Sequence, residues 1–402
     1  MTTMSSSSKI RTPAPNERIH ILEILGNAIS GGMENHVLRL IERLPRERFT
    51  ITALCPFESP WTELLRDQGV EVLVTPMPPD DVPWCSLQLA STLIRNSGVD
   101  LLHAHLPNAN MLAALAASLT GKPLLTTIHA RTLSTQDLEI HRATGNHLAV
   151  VCKQTYFQAL ALGVNGARLS CIPNGVDTQR FRPREESPGR SGLLRQRLGI
   201  PDAAPVAGFV GRIHWEKGPD VFVQAALLAS QRAPDAHFVL VGDGPMRDGL
   251  ADLVAEYRRQ DRIHFAGLVD DMPSAYQDMD LTVSSSYSEA MPLAVMEAMA
   301  SGLPVIATRV GGVTEMLEQG ETGYLVAPGD AKAIADMLAF LLRSPAEMQR
   351  LGARGRQRCV ALFELEQSVE RTARVITRLL PTTTTQARRV SAAVLSDPPS
   401  AG

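Results

Sequence analysis

Two glutamates eight residues apart, Glu289 and Glu297, stand in the segment SEAMPLAVMEAMASGLPVIAT, which runs from Ser288 to Thr308. Met291-Pro292 opens a helix between them, since proline suits the first helical turn, where its missing N–H is not needed. The helix is expected to run to about Ala300, with Gly302 as a left-handed cap and Leu303 to Ala307 as a buried strand. Glu289 therefore lies beside free backbone N–H groups at the positive end of a helix dipole, and Glu297 lies about two turns further in. Such a site can offer amides to a phosphate and carboxylates to the hydroxyls of a sugar or ribose. Taken alone, a glutamate on a helix is usually a solvated or salt-bridged residue. Its companions along the chain change that reading.

Gly26 to Glu34 (GNAISGGME) follows the first apolar run and precedes a helix through about Leu44. The pair Gly31-Gly32 would let a phosphate approach helix amides without Cβ interference, although a plain tight turn fits the same residues. The pattern is neither a Walker A loop nor G-x-G-x-x-G, which disfavours a P-loop NTPase or an ordinary dehydrogenase. Gly211 to Gly218 (GRIHWEKG) follows the first strand of the second half. Arg212 and Lys217 there can converge on one anion, the first as a bidentate donor and the second as a point charge. Each would pass for an ordinary surface cation by itself; together with the glycine loops they suit a pyrophosphate. Gly242 belongs to a third glycine loop (VGDGP), and HFAGLVDD, which contains Val269, follows a further strand and could hold a base or simply connect two elements. His103 and His105 share a strand face and could ligate a metal in principle, but no Cys or carboxylate stands at ligand spacing, and no metal is expected. His129, at the carboxyl end of a strand, is the better active-site candidate.

These residues need a scaffold that brings strand ends together. Short apolar runs alternate with amphipathic stretches along the chain, the pattern of βαβ units around parallel sheets. Seven strands are expected before residue 173 and six after residue 205, giving an α/β protein of two Rossmann-like, doubly wound domains facing a cleft. The chain's 402 residues suit two domains. The first is assigned to 18–182 and the second to 193–366, with a charged, Pro- and Gly-bearing linker at 183–192. Three helical stretches close the chain, and the last, 367–380, is expected to be able to return to the first domain. Residues 1–17 and 381–402 are rich in Ser, Thr and Pro and are expected to be flexible tails.

Bulk properties exclude other classes. A net charge of −3 and 4% aromatic residues give no reason to expect nucleic acid as a partner. Five cysteines without a C-x-x-C pair suit reduced thiols in a cytoplasmic protein. The N-terminus has no apolar signal-peptide core, and the longest apolar stretch is too short to span a bilayer. Peripheral contact with the inner face of the membrane remains open. The stretch Gly32 to Arg48 mixes Leu and Ile with four arginines and could touch anionic lipid, though it reads more readily as an amphipathic surface helix.

The ordered set GG-M-E, the histidine-ended strand, IPNGVD (Ile172 to Asp177), GR-x4-KG, VGDGP and E-x7-E resembles the family 4 retaining glycosyltransferases of the GT-B fold over nearly all of residues 18–380. The resemblance implies a UDP- or GDP-sugar donor in the interdomain cleft, no cofactor, and a cell-surface glycan or lipid-linked acceptor chosen by the N-terminal domain. Arg212 and Lys217 would hold the diphosphate with amides near Gly31 and Gly32. Glu297 would bind ribose hydroxyls, and Glu289 with the segment Met291-Pro292-Leu293 would bind sugar hydroxyls. His129 would face the sugar at the reacting centre, Val269 would sit beside the base, and Gly242 would complete the donor site. The family commonly has Gly after the first glutamate of E-x7-E, where this chain has Ala290, which leaves the donor sugar open. A nucleotide-sugar epimerase or hydrolase, and a non-catalytic nucleotide-sugar-binding protein, are the alternatives. The first would be expected to add acid/base carboxylates, and the second to lack Arg212, Lys217 or Glu297.

Overall fold

The computed structural model describes residues 18–29, 31–184 and 192–381. Residues 1–17 and 382–402 of the expected tails, Ser30 and most of the expected linker lie outside the described residues. The first half carries seven strands: β1 (Ile19–Leu25), β2 (Phe49–Cys55), β3 (Glu71–Val74), β4 (Leu101–His105), β5 (Leu124–Ile128), β6 (His147–Val150) and β7 (Leu169–Cys171). The second carries six: β8 (Val206–Val210), β9 (His237–Val241), β10 (Ile263–Gly267), β11 (Leu281–Ser284), β12 (Val305–Thr308) and β13 (Tyr324–Val326). Their apolar runs are covered on both faces, as parallel sheets require; β4, β5 and β9 are buried at every position.

Both sheets are parallel and wound alike. The orders are β3-β2-β1-β4-β5-β6-β7 and β10-β9-β8-β11-β12-β13. In each, the chain builds outward from the first strand and then returns to that strand's other side. The reversal falls between β1 and β4 in one sheet and between β8 and β11 in the other. Loops leaving the carboxyl ends of adjacent strands diverge at such a point and leave a crevice. The glycine loop at Gly31-Gly32 leaves β1, the Arg212–Lys217 loop leaves β8, and the Glu289 loop leaves β11.

Helix Leu293–Ala300 ends as the sequence implies. Gly302 has φ +73°, its N–H bonds Met299 O at 3.0 Å, and the Leu303 N–H bonds Ala298 O at 3.0 Å, which together form a Schellman motif. The closing helix runs Leu365–Leu379 and shares a buried cluster with Ile21, Leu40, Leu101 and Leu125 of the first half through Leu365, Val369, Ala373 and Ile376. Its entry is pinned to the IPNGVD segment, where the Leu365 N–H bonds Val176 O at 3.1 Å and the Val176 N–H bonds Phe363 O at 2.9 Å.

The amphipathic stretch expected over Gly32 to Arg48 is shorter in the structure. The helix covers Gly32–Arg43, and Leu44 is extended because Pro45 disfavours a helical conformation in the residue before it. Arg46 and Arg48 therefore lie beyond the helix. Of its own arginines, Arg39 pairs with Glu42 at 2.6 Å and Arg43 pairs with Asp177 and Glu366. Among the described residues no helix is long and apolar enough to cross a membrane. All five cysteines are free thiols.

Candidate active site

A cavity of about 450 Å³ lies between the two halves, at the switch points of both sheets. Ten of the expected site residues line it: Gly31, Gly32, His129, Arg212, Lys217, Glu289, Met291, Pro292, Leu293 and Glu297. Gly242 and Val269 lie outside this lining. Gly242 has φ +133°, and a Cβ there would come within 2.0 Å of Gly211 O, so the glycine lets the β8 and β9 loops cross. Val269 packs against the core cluster that contains Tyr276 and Met296.

The cations sit on a short turn. Residues Trp215–Lys217 form a single 3-10 turn closed by Gly218, whose φ is +59°. A Cβ at Gly218 would lie 2.2 Å from Ser285 O, so the loops after β8 and β11 touch there backbone to backbone. Lys217 Nζ donates to Glu289 Oε1 at 2.7 Å, and the Ser286 hydroxyl donates to the same oxygen at 2.7 Å. The carboxylate is thereby held with one oxygen engaged. Arg212 reaches into the cavity from the end of β8 and is 64% exposed, with Glu216 no nearer than 3.6 Å, so its guanidinium is available to an anion.

Two helix N-termini face the same space. Helix Gly32–Arg43 has no side-chain cap, and its first intrahelical bond is Asn35 N–H to Gly31 O. Helix Leu293–Ala300 is likewise uncapped at Pro292, and Met296 N–H is its first donor to an intrahelical carbonyl. Each leaves amide donors and a partial positive charge directed at the cavity. Glu297, half-buried, accepts from the Tyr276 hydroxyl at 3.0 Å. Burial raises its carboxyl pKa, while the Tyr276 hydrogen bond and the positive charge of Arg39 act in the opposite direction. Glu34, next to the first helix terminus, is also raised by burial and accepts from the Asn27 amide at 2.6 Å.

His129 is part of a buried network that sequence spacing did not reveal. Glu23, in the middle of β1 and fully buried, receives His103 Nδ1 at 3.0 Å and His105 Nε2 at 2.9 Å. His103 Nε2 meets Thr127 Oγ1 at 2.8 Å, and His105 Nδ1 meets His129 Nε2 at 2.9 Å. The expectation that no carboxylate accompanies His103 and His105 is corrected here: Glu23 comes from the adjacent strand, in register with His103. The ligand-capable atoms of these three residues lie within 4.8 Å of one another. Both carboxylate oxygens and all four ring nitrogens already have protein partners, which makes the set a hydrogen-bonded network. Burial alone would raise the Glu23 carboxyl, but the charge of His103 and the hydrogen bonds from both imidazoles outweigh it and bring the pKa down to about 2. Burial lowers His105 to about 4 and His36 to about 3, and it takes His129 well below its usual range.

Other contributors were not assigned roles from sequence. Asn174, in IPNGVD, lines the cavity and donates to Met291 O at 2.9 Å, tying the first half to the Glu289 loop. Ser286 had no distinguishing signal. Asn174 stands in the IPNGVD motif, but an Asn before Gly also reads as an ordinary turn residue, so its contact across to Met291 had no distinguishing signal either.

Two families match the chain, Glycosyltransferase Family 4 over residues 30–180 and Glycosyl transferases group 1 over residues 192–358. The chain is 30% identical over 339 residues to the 2-deoxystreptamine glucosyltransferase of Streptomyces kanamyceticus, covering 78% of this chain and 81% of that protein. It is 25% identical over 343 residues to the UDP-Gal:alpha-D-GlcNAc-diphosphoundecaprenol alpha-1,3-galactosyltransferase of Escherichia coli, covering 80% and 88%. In fold it is similar to Anabaena HepE, solved in complex with UDP-glucose, with a TM-score of 0.79 at 21% identity over 90% of this chain and 100% of that one. The two parallel sheets and their flanking helices are the GT-B architecture.

Proposed function

Because the chain belongs to family 4 of the glycosyltransferases, and is therefore an enzyme of sugar transfer, we propose that it moves a hexosyl group from a UDP- or GDP-sugar to a cell-surface glycan or lipid-linked acceptor, with retention at the anomeric carbon and without a metal. The observation that carries this reading is the convergence of Arg212, Lys217 and two uncapped helix N-termini on one cavity that also holds Glu289 and Glu297. The names of the relatives favour it: one is a UDP-galactose transferase with a diphosphoundecaprenol-linked acceptor, and the HepE structure holds UDP-glucose.

When the glycosidic bond breaks, negative charge grows on the departing diphosphate and the sugar becomes oxocarbenium-like. Arg212, Lys217 and the amides at Gly32 and Leu293 stabilise that charge without rearranging. One cation about 4 Å from a phosphate oxygen, at an effective dielectric near 20, contributes an interaction on the order of 4 kcal/mol before desolvation. Glu289, already bonded to Lys217 and Ser286, is placed to accept sugar hydroxyls rather than to form a covalent bond. Attack by the acceptor on the face the diphosphate leaves gives retention. Glu297 binds the ribose. A cytoplasmic location at the inner face of the membrane suits the free thiols and a lipid-linked acceptor.

The test is a panel of UDP-, GDP- and ADP-sugars with EDTA present, following thermal shift and released nucleoside diphosphate. Stabilisation by UDP- or GDP-sugars, with slow release of the diphosphate, is expected. Failure of every nucleotide to shift the melting temperature would refute the donor-site reading.

A further inference from the structure

We infer that Glu23 is a positioning residue which, through His105, fixes His129 as the Nε2–H tautomer, so that the Nδ1 lone pair of His129 faces the cavity as a hydrogen-bond acceptor for a hydroxyl of the bound sugar. The inference rests on the glycosyl-transfer reading for the ligand, and on the hydrogen-bond geometry together with the neutrality of the buried imidazoles for the tautomer.

The chain of roles starts at the carboxylate, which in its ionised form can only accept. His103 Nδ1 at 3.0 Å and His105 Nε2 at 2.9 Å must therefore both donate to it. A neutral imidazole that carries its proton on Nε2 has a lone pair on Nδ1. His105 Nδ1 lies 2.9 Å from His129 Nε2, so His129 is the donor in that contact. Its own proton is thereby spent inside the network, and Nδ1 is left as an acceptor. Among the described residues the His129 ring is bonded through Nε2 to His105, with no partner at Nδ1, and His129 lines the cavity. Burial keeps the His105 and His129 rings neutral, as the argument requires. The edge of His36, with ring centroids 5.2 Å apart at 66°, restrains the plane of the His129 ring.

The placement follows from the sheet. His103 and His105 occupy one face of β4, and Glu23 on β1 pairs in register with His103. A carboxylate on that one strand position reaches both imidazoles, and β5 delivers His129 from the other side of β4. An acidic residue in the middle of an apolar strand is costly unless it is fully hydrogen-bonded. Here that cost is offset, and the result is a polarised line from the core to the cavity. A site with a fixed acceptor favours a sugar that presents a hydroxyl there over a deoxy analogue, which leaves the lone pair unpaired.

The test combines a spectrum with kinetics. In enzyme labelled with 15N-histidine, the wild-type protein at pH 7.5 is expected to show His105 and His129 as neutral Nε2–H tautomers; a Nδ1–H or cationic His129 overturns the proposal. This readout needs no donor, so it stands or falls separately from the transferase reading. Glu23→Gln should keep the line intact, because its amide can face His103, whose other nitrogen meets a Thr127 hydroxyl that can either donate or accept. Glu23→Ala should mix the His129 tautomers and raise the donor KM about tenfold, with kcat within about threefold. Wild-type KM in a folded Glu23→Ala enzyme, or a loss in Glu23→Gln equal to that in Glu23→Ala, would also overturn it. Should Glu23→Ala fail to fold, the wild-type spectrum still decides.

Discussion

Replacing Lys217 with alanine separates the ion pair that its ammonium group makes with Glu289 from the diphosphate contact proposed for it. Nζ lies 2.7 Å from Glu289 Oε1, with the lysine side chain 26% exposed and the glutamate 9%. At an effective dielectric near 20 that pair interacts by about 6 kcal/mol before desolvation. Partial exposure and side-chain entropy reduce its net contribution to folding to about 1 kcal/mol. The Ser286 hydroxyl still donates to Glu289 in the variant, so the loop keeps its anchor. A melting temperature about 2–4 °C lower is expected for a domain of this size.

Catalysis should suffer far more than folding. Removing one fixed donor to a developing oxyanion typically costs ~10²–10³ in rate, or about 3–4 kcal/mol. Lys217→Ala should therefore lower kcat/KM by ~10²–10³, measured as nucleoside diphosphate release under steady-state conditions on protein shown to be folded. The unpaired Glu289 carboxylate would then also repel the diphosphate. Adding Glu289→Gln should recover part of the donor affinity while leaving turnover low. A Lys217→Ala enzyme within threefold of wild type in kcat/KM would refute the placement of the diphosphate beside this lysine. Equal, additive losses in both single variants would refute the coupling.

Glu297→Ala should raise donor Kd about tenfold to a hundredfold in titration calorimetry without unfolding the helix, since the Tyr276 hydroxyl keeps Ala294 O as a partner at 3.1 Å; unchanged affinity would remove Glu297 from the donor site. Gly218→Ala must place a Cβ 2.2 Å from Ser285 O at φ +59°, and the left-handed conformation alone costs about 1–2 kcal/mol. Its thermal midpoint should fall by several degrees and kcat with it, and a wild-type midpoint would mean the turn adjusts freely. Acid should destabilise the fold early. His36 and His105 have folded pKa values lowered to about 3 and about 4 from 6.5, so the unfolded chain takes up their protons first as pH falls below 6.5. Each should cost about 2 kcal/mol between pH 7 and pH 5 in urea titrations. The contribution from Glu23 is present above its unfolded value of 4.5 and is lost as pH falls from there toward about 2. A urea midpoint independent of pH from 7 to 5 would contradict the burial of neutral histidines.

The architecture was legible because it depends on local pattern. Apolar runs such as HFVLV at β9 and the alternation of strand and helix mark each βαβ unit, and a doubly wound sheet fixes where its loops diverge. That Arg212, Lys217 and Glu289 meet at one cavity was legible for the same reason: each follows a strand that borders a switch point. The helix end expected near Leu44 falls at Arg43, while the longer amphipathic reading to Arg48 overran it because Pro45 stops the backbone there.

What stayed hidden depends on partners distant in the chain. Glu23 sits in IHILEIL, where one acidic residue in an apolar run reads as the exposed edge of a strand or a tolerated exception. Its two imidazole partners lie 80 and 82 residues away, and only the reversal of strand order sets β4 beside β1. Had β4 continued outward beyond β3, Glu23 would be buried without its two imidazole donors, and the strand would be among the least stable parts of the sheet. The winding order that opens the crevice for a ligand is thus the same one that gives the buried carboxylate its partners. His129, at the end of the next strand, connects the two: its strand end was visible in the sequence, but the hydrogen bonds that orient its ring exist only once β1, β4 and β5 lie side by side.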